Sequence, residues 1–278
     1  MQDTITTIYC VCAEVLQALG VRDDEQSRVS HAEVMMVPLV AALFHRSNHA
    51  LTRRALCETG YTKVNLSASR FCRRLRALPD AAWQMAFGLL SQVFVQGNDS
   101  GDYAVDSMPV LVCQNVRINR CRLFHEREHG SLRGYQSSKK RYFYGFKVHL
   151  LVTRKGEPVE FFLSEGSLHD LEGLRRLPLD LPAKSTIYGD KAYSDAKEEA
   201  LVSEAGEMRL VALRRKNARV PLPPELVALC HIVRQQVESA FSVISQTLPH
   251  KLHAVTPQGF LLKLNALVIA YAFACFVR

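Results

Sequence analysis

The spacing of apolar residues changes once along this chain, near Asp102, and this change restricts the possible folds more than any other feature. Before it, apolar residues recur every three or four positions, as Val11, Val15 and Leu19 do, which is the spacing of amphipathic helices. After it, short apolar runs are separated by turn residues, which is typical of strands. The sequence therefore predicts an all-α part followed by a part that contains a sheet.

The first part is predicted to hold five helices, and local signals mark several of their ends. Ser30 and Glu33 form a Ser-x-x-Glu capping box ahead of an apolar run. Gly20 and Gly60 follow helical patterns as C-terminal glycines do, and Pro79 ends another pattern. The first predicted helix ends at about residue 19. The other four cover about residues 34–44, 49–58, 67–78 and 81–95.

The second part contains strands and helices in an informative order. We predict strands at about 103–113, 143–152, 159–163, 185–188 and 208–213, with helices at about 169–177, 194–205 and 225–248 and a last apolar helix from Pro257. Three antiparallel strands followed by alternating helix and strand match the ribonuclease H-like fold, an α/β fold with a mixed five-stranded sheet and flanking helices. In that fold the first and fourth strands lie side by side.

This order of elements predicts two domains. An all-α N-terminal domain would cover residues 1–98, and a ribonuclease H-like domain would cover residues 99–278. Residues 114–142 are basic and have no clear period. We therefore predict a basic insertion or long loop there.

Nearly all of the excess positive charge lies in one short segment. The chain has a net charge of +8, and residues 101–155 contain 11 Lys or Arg against 4 Asp or Glu. A local cationic field favours a polyanion, of which nucleic acid is the commonest, and the alternative is a solvated basic surface. We predict DNA contacts for the densest basic run and for one lysine of the second strand, namely Lys139, Lys140, Arg141 and Lys147.

The fourth predicted helix has a cationic face. Arg70, Arg73 and Arg74 fall at helical spacing on one side, whereas Phe71 and Leu75 fall on another. A helix that is packed on one side and cationic on the other can read a DNA groove, although an ordinary amphipathic surface helix has the same pattern. We predict that the three arginines bind DNA.

Membrane and secreted proteins are disfavoured by the composition. The longest apolar run covers residues 266–277, which is shorter than the ~20 residues of a membrane span. The first residues lack the basic and apolar regions of a signal peptide. Eight cysteines without a secretory signal indicate reduced thiols. We therefore expect a cytoplasmic protein without a membrane partner.

Three acidic residues stand where the predicted fold would bring them together. Asp106 lies near the end of the first predicted strand, and Asp190 follows the fourth. Because those strands are neighbours in this fold, the two carboxylates are expected at one edge of the sheet. Glu238 lies at the rim of the apolar stripe of the long helix and can face the same edge.

This set of carboxylates indicates metal-dependent chemistry on phosphate. Clustered carboxylates repel one another unless cations neutralise them. Hard divalent cations with oxygen ligands do so, and Mg²⁺ keeps positions open for phosphate and water. Two such ions about 3.5–4 Å apart can stabilise both the attacking and the leaving oxygen of a phosphoryl displacement.

Short motifs occur in a specific order along nearly the whole chain. They are SHAEV at 30–34, LSASRFCRRL at 66–75, VDS at 105–107, GFKVHL at 145–150, GSLHD at 166–170, GDKAY at 189–193 and Arg234-x3-Glu238-x2-Phe241. In their order and spacing the sequence resembles the DDE transposases of bacterial insertion sequences, and most closely the branch typified by insertion sequence 982.

The resemblance implies a function and its participants. It implies that Asp106, Asp190 and Glu238 bind two Mg²⁺ ions, for which Mn²⁺ can substitute, and catalyse cleavage and joining at transposon ends. The partners would be double-stranded DNA, both the terminal inverted repeats and the target, and the helical domain would help to bind the ends. A homodimer or larger assembly on DNA and a bacterial, nucleoid-associated location follow from the same resemblance.

The last motif departs from the family at two positions. Related transposases often carry Tyr-x2-Arg-x3-Glu-x6-Lys on this helix. Here Arg234 and Glu238 fit, whereas His231 and Ser245 stand in place of the tyrosine and the lysine. Arg234 is therefore assigned to DNA contact, and the absent lysine puts one phosphate contact in doubt.

Other interpretations stay open at this point. The chain could be a catalytically silent DNA-binding protein derived from such a transposase, or a metal-dependent nuclease without a joining step. Cys113, Cys121, His125 and His129 could also hold zinc, but their spacing differs from the common structural motifs, which use Cys-x2-4-Cys.

Overall fold

The computed structural model describes residues 1–125, 128–215, 218, 220–249 and 251–278, without the side chains of Ser138 and Ala205. Glu126 and Arg127 of the predicted basic insertion lie outside the described residues. The chain forms two compact units, one made of residues 1–90 and 243–278 and the other of residues 91–242.

The first unit is helical. Its elements are α1 (Gln2–Ala18), α2 (His31–Phe44), α3 (His49–Glu58), α4 (Ala68–Ala77), most of α5 (Asp80–Gln96), the last residues of α8 (Pro224–Thr247) and α9 (Pro257–Phe276). Helix α2 begins at the predicted capping box, in which Ser30 Oγ accepts from Glu33 N and the Glu33 carboxylate accepts from Ser30 N. Both orphan N–H groups at this helix start are thereby satisfied.

The core of the helical unit forms around α2 and α9. Helix α2 is buried on nearly all sides, and α9 packs against it and against α1. Among the described helices, α9 is long and apolar enough, by length and composition alone, to cross a membrane, and 56% of its most apolar window is buried inside the protein. A helix that is apolar all round is expected in a core as well as in a bilayer.

The second unit contains one mixed sheet. Its strands are β1 (Asp102–Cys113), β2 (Arg133–Gln136), β3 (Arg141–Thr153), β4 (Pro158–Glu165), β5 (Thr186–Gly189) and β6 (Arg209–Ala212). Strand β1 pairs antiparallel with β3 and parallel with β5. Strand β3 also pairs antiparallel with β2 and β4, and β5 pairs parallel with β6.

The helices of this unit are α6 (Asp170–Arg175), α7 (Ala196–Gly206) and most of α8. The predicted fold class is confirmed, because this is a mixed sheet of the ribonuclease H-like type with flanking helices and the chain begins with helices. The predicted neighbours, the first strand and the strand before GDKAY, are β1 and β5.

Two features of the sheet differ from the prediction. Strand β2 lies inside the segment that was predicted as a loop, because Arg-Gly-Tyr-Gln carries no strand signal of its own and forms a strand by pairing with β3. Gly134 is needed there, since a Cβ at this position would stand 2.2 Å from the Gly166 carbonyl oxygen. Strand β1 runs as one element through Pro109, so Asp106 lies in its middle and not near its end.

The compact units have other bounds than the predicted domains. The prediction placed a boundary at residues 98 and 99 and kept the C-terminal helices with the sheet. In the structure, residues 243–278 group with the N-terminal helices because α9 packs on α2. The assignment of end binding to residues 1–98 and of catalysis to residues 99–278 stays a prediction.

Candidate active site

Asp106 and Asp190 both lie just beyond the segment in which strands β1 and β5 pair. Tyr103 pairs with Ile187 and Ala104 with Tyr188. Asp106 stands two residues beyond Ala104 within β1, and Asp190 stands two residues beyond Tyr188, directly after β5 ends at Gly189. The two acids are close enough for the charge of Asp190 to help raise the pKa of Asp106.

The Asp106 carboxylate is mostly buried between donors and other acids. Its Oδ1 accepts from Ser107 N at 2.8 Å, and its Oδ2 lies 3.3 Å from Arg234 Nη2. Burial raises the pKa of Asp106 to about 6, although the Ser107 N–H and Arg234 oppose the shift, and the charges of Asp190 and Asp170 add to it.

Asp190 is held by the turn that follows β5. It is the N-cap of a short 3-10 turn over Lys191–Tyr193, and its Oδ1 accepts from Ala192 N at 2.7 Å. Tyr193 of the same motif is buried, and its hydroxyl has no hydrogen-bond partner among the described residues. Burial raises the pKa of Tyr193, and the nearby acids Asp106, Asp170 and Asp190 raise it further. The Tyr193 hydroxyl is therefore protonated and uncharged beside these acids.

Helix α8 places Arg234 and Glu238 at the same end of the sheet. Its buried side packs on the sheet, where Cys230 Sγ lies 3.5 Å from the Gly189 carbonyl oxygen. One helical turn later, Arg234 Nη2 lies 3.3 Å from Asp106 Oδ2 and 3.4 Å from Glu238 Oε1. The Glu238 side chain is 59% exposed. Arg234 therefore connects two of the three predicted acids.

The donor chemistry of this site fits a divalent cation. All three side chains offer carboxylate oxygens, which are the ligands that Mg²⁺ prefers. Among the described residues, no three His, Cys, Asp or Glu side chains are arranged to hold one ion together, and the Arg234 guanidinium contacts both Asp106 and Glu238. The residues that would hold an ion are Asp106, Asp190 and Glu238, and this role stays a prediction.

A second acid lies beside Asp106 and was not among the predicted site residues. Asp170, the first residue of α6, accepts from Ser107 Oγ at 2.7 Å and from Lys147 Nζ at 2.9 Å. Burial alone would raise the pKa of Asp170, but Lys147 and the Ser107 hydroxyl hold it below the ordinary value. The sequence signal was the GSLHD motif itself, in which the acid opens a helix.

Lys147, which we predicted to contact DNA, is buried. Only 9% of the residue is exposed, and it donates to Asp170 and to the Leu168 carbonyl oxygen. The reason is that β3 is an interior strand of the sheet and is buried from Phe143 to Thr153. Lys147 is therefore a partner of Asp170 inside the unit.

The helix that carries Asp170 packs on a buried histidine. Gly173 of α6 lies against the ring of His149, and a Cβ there would stand 2.2 Å from the imidazole Cε1. The ring is anchored on the other side by Ser164 Oγ, 2.8 Å from Nε2. Burial lowers the pKa of His149 to about 4, so this imidazole is neutral at pH 7.

The predicted cationic face of α4 is divided between surface and interior. Arg70 and Arg73 are exposed. Arg74 instead donates to Ser27 Oγ at 2.9 Å and to the Val29 carbonyl oxygen at 2.5 Å. Arg76, for which no DNA contact is predicted from the sequence, is exposed one turn beyond Arg73. The solvent-facing arginines of α4 are therefore Arg70, Arg73 and Arg76.

The basic run before β3 lies at the surface. Lys139, Lys140 and Arg141 are all exposed, and Lys140 adopts a left-handed backbone conformation with φ of 48° at the turn into the strand. Their contact with DNA stays a prediction. Cys113 and Cys121 of the alternative zinc site are neighbours whose contact helps to raise the pKa of Cys113, after its burial, but in the described part of the chain they join no group of three metal-binding side chains.

The comparisons with known proteins agree with the fold. Residues 96–222 match the family model described as a transposase DDE domain, a stretch that contains Asp106 and Asp190 but not Glu238. This match supports the class of DDE transposases. The insertion sequence 982 branch and the bacterial origin stay predictions.

One solved structure gives the same result for the fold. The chain is similar to a piggyBac transposase, seen by cryo-EM in a synaptic complex with hairpin DNA, with a TM-score of 0.51 and 12% sequence identity. The similarity covers 98% of this chain and 71% of the transposase. The comparison with curated proteins gives no match.

Proposed function

We propose that this protein is a transposase that cuts and joins DNA at the ends of an insertion sequence. The observation that carries the proposal is the placement of Asp106 and Asp190, each two residues beyond the last paired residues of β1 and β5, within the segment that matches the transposase DDE domain. The similarity to a transposase complexed with DNA supports DNA as the partner.

In this proposal Asp106, Asp190 and Glu238 bind two Mg²⁺ ions. Such ions, when bound, supply Lewis-acid stabilisation of the phosphoryl oxygens and a more acidic water. Asp190 is oriented by Ala192 N and Asp106 by Ser107 N, so one oxygen of each carboxylate is fixed by a backbone N–H. Water would first hydrolyse the phosphodiester at the transposon end and leave a free 3′-hydroxyl. This hydroxyl would then attack a target phosphodiester, form the new bond to the phosphorus and displace the 3′-hydroxyl of the target strand, and no protein side chain would form a covalent bond to DNA.

The DNA itself would be bound by cations outside the acidic site. The exposed run Lys139, Lys140 and Arg141 can contact backbone phosphates near the scissile bond. A homodimer or larger assembly on DNA would bring two ends together. The cytoplasmic, nucleoid-associated location belongs to the same proposal.

The test is a cleavage and joining assay with the DNA that flanks this reading frame. Duplexes carrying those ends are mixed with the full-length protein and a supercoiled target plasmid. We expect cut ends and joined products with Mg²⁺ or Mn²⁺, and neither with excess chelator. Cutting without joining would favour a nuclease, binding without cutting would favour the silent DNA-binding protein, and cutting in excess chelator would refute the metal requirement.

The exposed arginines of α4 provide a prediction about end binding. Replacing Arg70, Arg73 and Arg76 together by Ala is expected to weaken binding of an end duplex, because phosphate contacts by Lys and Arg supply most of the electrostatic affinity. The slope of log affinity against log salt should fall by about one unit for each arginine that contacts a phosphate. A gel-shift titration at several salt concentrations measures both quantities.

Arg74→Ala is the matched control, since this arginine of the same helix is engaged with Ser27 and Val29. It should lower the melting temperature and leave the salt slope unchanged. If the triple variant kept the affinity and slope of the wild type, end recognition would have to lie outside α4.

A further inference from the structure

A single guanidinium nitrogen is shared by two acids that are distant in sequence. Nη2 of Arg234 lies 3.3 Å from Asp106 Oδ2 and 3.4 Å from Glu238 Oε1. Only 13% of the arginine side chain is exposed, and Asp106 is 128 positions away along the chain. Carboxylates that lie near each other repel unless a cation lies close. Arg234 supplies that charge here.

The contact has the features of a replaceable partner. A strong arginine pair uses two nitrogens at short distance, as Arg214 does with both oxygens of Glu199 in the same unit. Arg234 instead offers one nitrogen to both acids at longer distances. Its Nε is buried and has no hydrogen-bond partner among the described residues. The contacts of this guanidinium with the two acids therefore use one nitrogen at distances of 3.3 and 3.4 Å.

The same two carboxylates are proposed above as metal ligands. A divalent cation carries twice the charge of the guanidinium and binds carboxylate oxygens directly. It would therefore compete with Arg234 for Asp106 and Glu238, because each acid gains more from the ion than from one long nitrogen contact.

We propose that Arg234 is a placeholder cation, which neutralises Asp106 and Glu238 in the metal-free protein and leaves them when divalent metal binds. This inference rests on the proposed metal-dependent function. It also reconciles the two roles of Arg234, because a guanidinium released at the site becomes available to the backbone phosphate of bound DNA. Arg234 thereby keeps Asp106 and Glu238 close to each other until a divalent ion binds.

The test is Mn²⁺ binding to the full-length protein without DNA. Isothermal titration calorimetry gives the dissociation constant, and the electron paramagnetic resonance signal of free Mn²⁺ gives an independent measure. When a competing internal contact occupies about 90% of the molecules, its removal tightens apparent binding about tenfold. We therefore expect Arg234→Ala to bind Mn²⁺ about tenfold more tightly than the wild type. Its metal-free melting temperature should be lower and should rise more on addition of Mn²⁺.

Arg154→Ala is the matched control. Arg154 pairs with Asp102 of the same strand β1 at the same distance of 3.3 Å, and its removal should leave the Mn²⁺ dissociation constant at the wild-type value. Arg234→Gln, which keeps most of the side-chain volume without the charge, is measured alongside in case the alanine variant does not fold. It should show the same gain in affinity.

The outcomes separate this inference from the proposed function. If Mn²⁺ binds the wild type and Asp190→Asn weakens that binding, the metal site stands. Unchanged or weaker binding by both Arg234 variants would then overturn the placeholder role alone. If the wild type does not bind Mn²⁺ in a way that depends on Asp190, the metal-dependent function fails and the placeholder role fails with it.

Discussion

Replacing Asp190 by Asn is expected to reduce cleavage of a transposon-end duplex about 1,000-fold, while DNA binding survives. A catalytic metal supplies several kcal/mol of transition-state stabilisation, and each 1.36 kcal/mol is a factor of ten in rate. The asparagine oxygen can still accept from Ala192 N, as Asp190 Oδ1 does at 2.7 Å, so the turn after β5 is preserved. The loss of cleavage rate therefore measures the effect of removing the Asp190 charge. Single-turnover cleavage with Mg²⁺ and a gel-shift titration measure the two effects.

Asp195→Asn is the control for this prediction. Asp195 is the N-cap of α7, and its carboxylate accepts from Lys197 N and Glu198 N, so the change has the same chemistry at a cap outside the acidic site. Its cleavage rate should stay within a few-fold of the wild type. An Asp190→Asn protein that cleaves as fast as Asp195→Asn would remove Asp190 from the proposed metal ligands.

Replacing Asp170 by Asn is expected to lower the free energy of unfolding by about 3 kcal/mol. The change removes the charge that neutralises Lys147, whose side chain is 11% exposed, and an uncompensated buried charge costs about 3–5 kcal/mol. Urea denaturation of the metal-free protein at pH 7 measures the loss. The double variant Lys147→Met/Asp170→Leu should recover most of it, because a buried pair can be replaced by apolar side chains at little cost.

The pH dependence gives this prediction a second readout. Asp170 has a pKa below its ordinary value of 3.8, so its stabilising contribution is present above that value and is lost as the pH falls through the folded-state pKa. The gap between wild type and Asp170→Asn should therefore persist from pH 7 to pH 5 and close below about pH 3.8.

Glu172→Gln is the control for the Asp170 variant. Glu172 lies on the same helix and pairs with the exposed Arg175 and Arg176, and an exposed pair contributes less than about 1 kcal/mol. If Asp170→Asn and Glu172→Gln lower the free energy of unfolding by the same amount, the Lys147 and Asp170 pair contributes no more to stability than an exposed ion pair.

The sequence by itself determined most elements of this protein and their order, although not strand β2. Local signals are sufficient for that, because a capping box such as Ser30 and Glu33 or an apolar spacing acts over a few residues. The order of strands then predicted that β1 and β5 are neighbours, which the structure confirms, and with this pairing the proximity of Asp106 and Asp190. Their joint role in binding metal stays a prediction.

Only the tertiary structure decided which charged side chains are free to act. Lys147 is on an interior strand and pairs with Asp170, Arg74 turns inward to Ser27, and Arg234 contacts Asp106 across 128 positions. A sequence pattern assigns a residue to one side of its own element, but whether that side is covered depends on which distant elements pack there. Burial and ion pairing are long-range outcomes of packing, and this is why the placement of the cations could not be predicted from their spacing.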